Sequence, residues 1–285
     1  MMVLAVLFAV LGAVSNAAGT AFQRKAASNV PGRSGLRLLR VLMRRPAWAV
    51  GIAGVAGAAV FQALALVNGP MALVQPLFML ELPFALLIAV PLMHRRPSPE
   101  GWRTIGVVVA GLALLLASAA PSGGRQQASM QRWIPVLALT LGAIAVTVLL
   151  VRSSSSPLFR AAALATGAAI GNALTAALMK SATGRLADAG LAAFLTAWQT
   201  YGFALTGIAA LLLLENALQA GPLVASQPAL TIGDAAVSLL LGVALFDESV
   251  RTGWWLLPEV AGAGLILWGV TRLTHVVPHL VDVMR

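Results

Sequence analysis

The segment Asn68-Gly69-Pro70-Met71-Ala72-Leu73-Val74-Gln75-Pro76 returns 152 residues later as Ala220-Gly221-Pro222-Leu223-Val224-Ala225-Ser226-Gln227-Pro228, with Gly-Pro and Gln-Pro in the same places. By residue frequencies that coincidence has a chance of roughly one in a thousand, so the chain reads as an internal repeat. Outward at the same offset, Ala65-Leu66 recurs as Ala217-Leu218, and Gly101-Trp102 as Gly253-Trp254. Upstream, Asn16 with Arg24 is matched by Asn172 with Lys180 at an offset of 156.

What repeats is set by composition. Of 285 residues, 59% are hydrophobic and 10% charged, where a soluble domain carries about a quarter charged residues. Apolar windows of about 18–24 residues recur along the chain, each long enough to cross a bilayer as a helix whose backbone satisfies itself. Spans are expected at 2–22, 47–67, 71–92, 102–120, 134–151, 157–180, 192–215, 222–246 and 253–273. Turn chemistry separates them: Asn68-Gly69-Pro70, Pro97-Ser98-Pro99, Pro121-Ser122-Gly123-Gly124, a serine run before Pro157, and Gly221-Pro222. No cysteine is present, so disulfide and thiol chemistry are excluded.

Superposed on these spans, the repeat pairs the first four helices with the last four and leaves the fifth as a spacer. Equivalent helices are five crossings apart. Five is odd, so the second unit enters the membrane from the opposite side. The expected fold is an all-α membrane protein of nine transmembrane helices. Its inverted four-helix repeats occupy 1–122 and 157–273, joined by a spacer helix and linkers over 123–156, with a tail over 274–285.

Lys and Arg set the orientation. With the N-terminus outside, the inner segments (about 23–46, 93–103, 152–160 and 272–285) hold fourteen of the nineteen cations, as the positive-inside rule requires. The first span lacks a basic leader and is followed by Arg24 and Lys25, which favours a retained helix over a cleaved signal. The expected location is the cell's inner membrane, multi-pass, with a cytoplasmic C-terminus. The net charge of +10 is then a topology signal, and nucleic acid is not an expected partner. Within 33–45, Arg33, Arg37, Arg40 and Arg44 share one helical face between leucines. Such a segment lies on the lipid surface as an amphipathic helix, or is a plain basic loop.

Four acids fall on or near the spans. Glu81 and Asp234 sit near the middle of repeat-related helices, one register position apart; Glu259 lies a third of the way along the last helix; Glu215 lies near a helix end, at headgroup depth. A carboxylate at the bilayer centre costs about 2.5–3.5 kcal/mol on insertion scales. No basic residue is expected at mid-depth, since Lys180 falls at a helix end and can snorkel. The acids therefore point to a cation, to protons, or to the amides Asn16, Asn172, Gln75 and Gln227 as partners. The plainer reading of each is a protonated carboxyl hydrogen-bonded between helices. Pro76 and Pro228 lie inside spans, where they remove a backbone hydrogen bond. With Gly69-Pro70 and Gly221-Pro222 they are candidate hinges. Inverted repeats around a midplane site are the build of secondary transporters.

Other features are structural. Gly51, Gly54 and Gly57, and the pair Gly167 and Gly171, allow close helix approach. Trp48, Trp102, Trp133, Trp254 and Trp255 fall near span ends, as an aromatic belt does. His94, His275 and His279 lie at membrane edges, and no HExxH, phosphate loop or nucleophile elbow occurs. No enzyme activity and no cofactor is expected.

Gly69-Pro70 with Gln75-Pro76, then Gly101-Trp102 and a Gly/Ala-rich helix, resembles the EamA-type repeat of the drug/metabolite transporter (DMT) superfamily over about residues 2–273. Asp247-Glu248-Ser249 is similar to the acidic dipeptide that closes the corresponding helix there. Nine helices, and a first helix running into Phe22-Gln23-Arg24-Lys25, resemble the NIPA-like magnesium transporter branch. That branch tends to carry a Glu in the second helix, where this chain has Ala58, Ala59 and Gln62. The resemblance implies alternating-access transport, with Mg²⁺ as one substrate, but carries no magnesium site over by residue; Glu81 and Asp234 are the metal-binding candidates because hydrated Mg²⁺ needs only one or two carboxylates. A proton-coupled exporter of small metabolites or organic cations is the alternative. A non-transporting scaffold or lipid-binding protein is the alternative of another class. The partners expected are the lipid bilayer and a small solute or ion, and a homodimer stays open.

Overall fold

The computed structural model describes residues 1–28, 44–92 and 99–276. Among them, nine helical segments are long and apolar enough to cross a membrane. The chain is an all-α membrane protein. Its elements are α1 (Met2–Ser28), α2 (Pro46–Asn68), α3 (Met71–Phe78), α4 (Glu81–Leu92), α5 (Pro99–Ala119), α6 (Met130–Ser153), α7 (Pro157–Thr196), α8 (Trp198–Ala220), α9 (Leu223–Phe246) and α10 (Leu256–Val276). A 3-10 turn at Gly253–Trp255 leads into α10. Strands β1 (Ser122–Gly123) and β2 (Glu248–Ser249) pair antiparallel, Ser122 opposite Ser249. The Arg33–Arg40 face and the tail beyond Val276 lie outside the described residues, so the expected surface helix over 33–45 is not addressed.

Both Gly-Pro breaks take one conformation. Gly69 (φ −155°, ψ 173°) and Pro70 (φ −67°, ψ 143°) match Gly221 (φ −179°, ψ −170°) and Pro222 (φ −70°, ψ 146°). Extended backbone ends one helix, and the proline starts the next one residue later.

Beyond the break the repeats diverge. The first half splits at Met79-Leu80 into α3 and α4, while α9 runs unbroken through Pro228. The reason is Pro83. It has no N–H to give Met79 O, and the ladder tightens to three-residue steps, with Met79 N–H on Pro76 O, Leu80 N–H on Leu77 O and Leu82 N–H on Met79 O. At the repeat offset the second half has Ala235. The mid-span kink expected at both prolines is thus a helix break in one half only, three residues past Pro76.

Helix α7 also departs from expectation. It does not end at Lys180 but continues to Thr196, broken only by Gly190 (φ 79°). The residues after Lys180 are less apolar but include no helix stop until that glycine. The 33 residues from 157 to 189 extend about 50 Å, more than the ~30 Å hydrocarbon layer, so the last turns stand clear of it. The following helix begins at Trp198 rather than 192.

Packing follows the repeat. Helix α1 lies along α2 as α7 lies along α8, and α1 meets α3 and α4 as α7 meets α9. The equivalent helices α5 and α10 pack on each other, as do α3 and α9, and the spacer α6 leans on α7 and α9. Glycine makes the crossings close. A Cβ on Gly54 would stand 2.9 Å from Gly19 N, and one on Gly171 2.9 Å from the Ala210 methyl. Ser15 Oγ also donates to Gly54 O at 2.8 Å.

The two Gly-Pro breaks lie at opposite ends. Gly221 abuts Pro157 O at the start of α7. Glu248, which follows the far end of α9, hydrogen-bonds Met71 and Ala72 just past Gly69-Pro70. Helix α9 therefore starts where α7 starts and finishes where α3 begins. The second unit runs upside down relative to the first.

Helix α7 is the most enclosed, with 67% of its apolar window buried against 11% for α6 and α8. The outer helices turn large apolar side chains such as Leu139, Leu205 and Leu240 outward, as a lipid-facing surface demands. One belt residue is misplaced by the sequence. Trp133 is fully buried, edge-on to Trp198 at 5.3 Å and to Phe246 at 6.4 Å. It belongs to the core, whereas Trp102, Trp254 and Trp255 are exposed.

Candidate functional site

Five helices from both repeats line a cavity of about 240 Å³. Helix α1 brings Asn16, α2 brings Gln62 and α3 brings Gln75; α7 brings Asn172 and Thr175, and α9 brings Asp234. Ala176 and Met179 complete the α7 wall. By helix rise, Gln75 lies ~6 Å below the start of α3, Asn172 ~12 Å from Lys180, and Asp234 ~18 Å from the end of α9. The polar groups are thus at depth within the bundle, near the waist where the two inverted units meet.

The wall carries one formal charge. Asp234 is the sole ionisable residue among those lining it. Its Oδ1 accepts from Ser238 Oγ at 3.2 Å, one turn along α9. Four amides offer both donors and acceptors. Thr175 Oγ contacts Gly171 O at 2.7 Å and Thr206 Oγ at 3.0 Å, which fixes its rotamer toward α8. Asn16 and Asn172, equivalents in the repeat, reach the same space. An array of one carboxylate and several amides can hold a small polar solute bearing a positive charge, or a cation that keeps its own water.

The expected residues divide. Asn16, Gln75, Asn172 and Asp234 come together. Glu81 is the first residue of α4, half-buried beside the Met79-Leu80 break, and is not in the wall. Gln227 sits half-buried in the first turns of α9, also outside it. Glu259 is in the first turn of α10, where its Oε1 is buried without a hydrogen-bond partner among the described residues. Glu215 is exposed on α8. Among the described residues no three His, Asp or Glu side chains gather as a metal cluster would. The cavity itself offers one carboxylate to a cation. Gln62 and Thr175 were not singled out as site residues, because each is an ordinary polar residue in an apolar run.

A second polar cluster was missed altogether. The Lys180 ammonium lies 2.5 Å from Glu248 Oε1, with side chains 2% and 0% exposed. Lys180 does not snorkel. The Glu248 carboxylate also accepts Met71 N–H at 2.6 Å and Ala72 N–H at 2.9 Å. Pro70 O takes Leu73 N–H and Val74 N–H, so every first-turn donor of α3 is satisfied. Lys180 further donates to Gly69 O at 3.3 Å and stands over the Phe246 ring at 4.8 Å. The turn that delivers Glu248 is Asp247 in the left-handed region (φ 54°), which Asp tolerates better than most residues. Gly242 makes the room: a Cβ there would collide with Glu248 Oε2. The signal in the sequence was the acidic dipeptide itself, read only as a resemblance.

Asp247 meets Arg132 at 2.5 Å and Arg125 at 2.9 Å. The hydrogen bond from Arg132, helped by the charges of Arg132 and Arg125, outweighs desolvation and holds its carboxyl below the usual range.

No protein-family model matches the chain, and no solved structure matches it. Over 260 residues, covering 88% of each chain, it is 30% identical to an uncharacterized protein of Corynebacterium glutamicum.

Proposed function

The chain belongs to the same family as that corynebacterial protein, and we propose that it is a secondary transporter of the DMT type, moving a small cationic solute across the inner membrane by alternating access. One observation carries this reading: the cavity of about 240 Å³ at the meeting of two inverted units, lined by Asp234 and by amides from both. A binding site shared by two halves lets one half rock against the other while the solute stays at the centre. That volume suits a small metabolite or a Mg²⁺ ion retaining several waters.

The repeated Gly-Pro and Gln-Pro turns and the acidic dipeptide after α9 support the DMT assignment. The bias of Lys and Arg supports an N-terminus outside and a cytoplasmic C-terminus. A proton-coupled exporter is the second reading, and the single cavity carboxylate favours it. A proton and a cationic solute would then compete for Asp234.

The test is flux in proteoliposomes with Mg²⁺ and a panel of small amines, for the native chain and for Asp234→Asn. The expected outcome is loss of flux with undiminished insertion and melting temperature. Undiminished flux in Asp234→Asn would overturn this site, and no flux with any solute would favour a scaffold. A pH change driven by solute addition marks proton coupling.

A further inference from the structure

The Glu248–Lys180 pair lies one residue beyond the cavity wall on α7 and at the start of α3, the helix that brings Gln75 to it. Lys180 follows Met179 on α7, and Met71 begins the helix that carries Gln75. Through Met71, Ala72, Gly69 and Phe246 the pair ties together α2, α3, α7 and the end of α9. These are four of the five helices that form the cavity wall. Opening the cavity at this end requires α3 and α7 to part. They cannot part while one carboxylate bonds the backbone of one and the ammonium of the other.

Space is reserved for that carboxylate. Besides Gly242, Gly124 lies against it, where a Cβ would come 2.9 Å from Glu248 Cγ. The opposite end has no equivalent in sequence. At the repeat offsets the counterparts of Glu248 and Lys180 are Arg96 and Arg24, and two cations cannot pair with each other.

We infer that the Glu248–Lys180 pair is a latch that holds the cavity shut at the Gly69-Pro70 end, and that it must break for the protein to open there. The inference rests on the cavity being a site that needs access, as the transport reading holds. It goes beyond that reading in naming the bond that controls access and the end at which it acts.

The native chain has no cysteine, so a single Ala176→Cys in the cavity wall reports access directly. The probe is a membrane-impermeant maleimide, applied to each face of oriented vesicles. Labelling from the Ser249 face should be slow in the otherwise native chain and about tenfold faster, or more, after Glu248→Gln, with no change from the other face. No acceleration from the Ser249 face overturns the latch. So does equal acceleration from both faces, which is general loosening. Should Glu248→Gln fail to fold, Gly242→Ala decides by the same readout, since it displaces the carboxylate without removing its charge. It should speed labelling severalfold from the Ser249 face alone, and an unchanged rate overturns the latch. Because labelling reads access and not flux, a gated protein that moves no solute would leave the latch standing and overturn only the transport reading.

Discussion

Gly111 and Gly262 face each other where α5 crosses α10, each against the other's carbonyl. A Cβ on Gly111 would come 2.9 Å from Gly262 O, and a Cβ on Gly262 would come 2.8 Å from Gly111 O and 2.8 Å from Leu115 N. The two are repeat equivalents to within one position, so the crossing is made by one helix of the repeat meeting its own inverted copy. Backbone on both sides cannot yield as a flexible side chain can. Gly262→Val is expected to destabilise by about 1–3 kcal/mol through overpacking. Gly264, with nothing within 4 Å of its Cβ position, serves as the control. Gly264→Ala should be neutral or slightly stabilising, since alanine is the better helix former. Unfolding in detergent measures both.

Asp247 gives a dependence on acid. Its pairing with Arg132 and Arg125 lowers its pKa on folding. A carboxyl lowered in this way contributes stability that is fully present above its unfolded value, near pH 4, and is lost as pH falls through the folded value. Between pH 5 and pH 8 the contribution is flat. Asp247→Asn should lower the melting temperature slightly across that plateau, and the difference from the native chain should shrink below about pH 4. Melting curves from pH 3 to pH 7 check the sign. A gap that widens in acid contradicts the assignment.

What could be read from sequence follows from what hydropathy and repeats encode. Apolar runs mark helices, so all nine spans were legible. The Gly-Pro turns marked the inverted repeat, and the repeat in turn singled out Asn16, Asn172, Gln75 and Asp234, which the fold assembles. Glu81 lies outside the cavity wall, in the half where Pro83, absent from the other repeat, interrupts the helix just before it. Lys180 was misread for another reason. Hydropathy falls after it, but helicity does not, and a window that measures the first cannot see the second. Its partner Glu248 is 68 residues away, brought back by a single left-handed turn at Asp247, and no local pattern carries that information.

Lys180 and Glu248 should be coupled in stability. Removing one partner of a buried pair strands the other charge and costs about 3–5 kcal/mol, whereas replacing both is often close to neutral. Lys180→Met is expected to fall in that range. Glu248→Gln should cost less, because glutamine retains an acceptor for the α3 amides. The double variant should be more stable than the sum of the singles predicts, with an interaction energy of about 0.5–3 kcal/mol. A full thermodynamic cycle by chemical unfolding gives that number. Additive effects would mean that the ammonium and the carboxylate do not act on each other.

The sidedness of the bundle gives the last prediction. The ribbon of Ser122 and Ser249 places the α5–α6 and α9–α10 connections together, at the end where Glu248 meets α3. The α6–α7 connection meets Gly221 at the other end. Single cysteines in the native chain, which has none, separate the two ends. Ser249→Cys and Ser122→Cys should react with an impermeant thiol reagent from the same face, and Ser155→Cys from the opposite one. In the proposed orientation, with fourteen of the nineteen Lys and Arg residues on the cytoplasmic side, the first two should label in intact cells and the third should not. Inverted vesicles should give the reverse pattern. Labelling of Ser155 and Ser249 from one face would break the odd spacing on which the inverted repeat depends, and with it the shared position of Asn16 and Asn172.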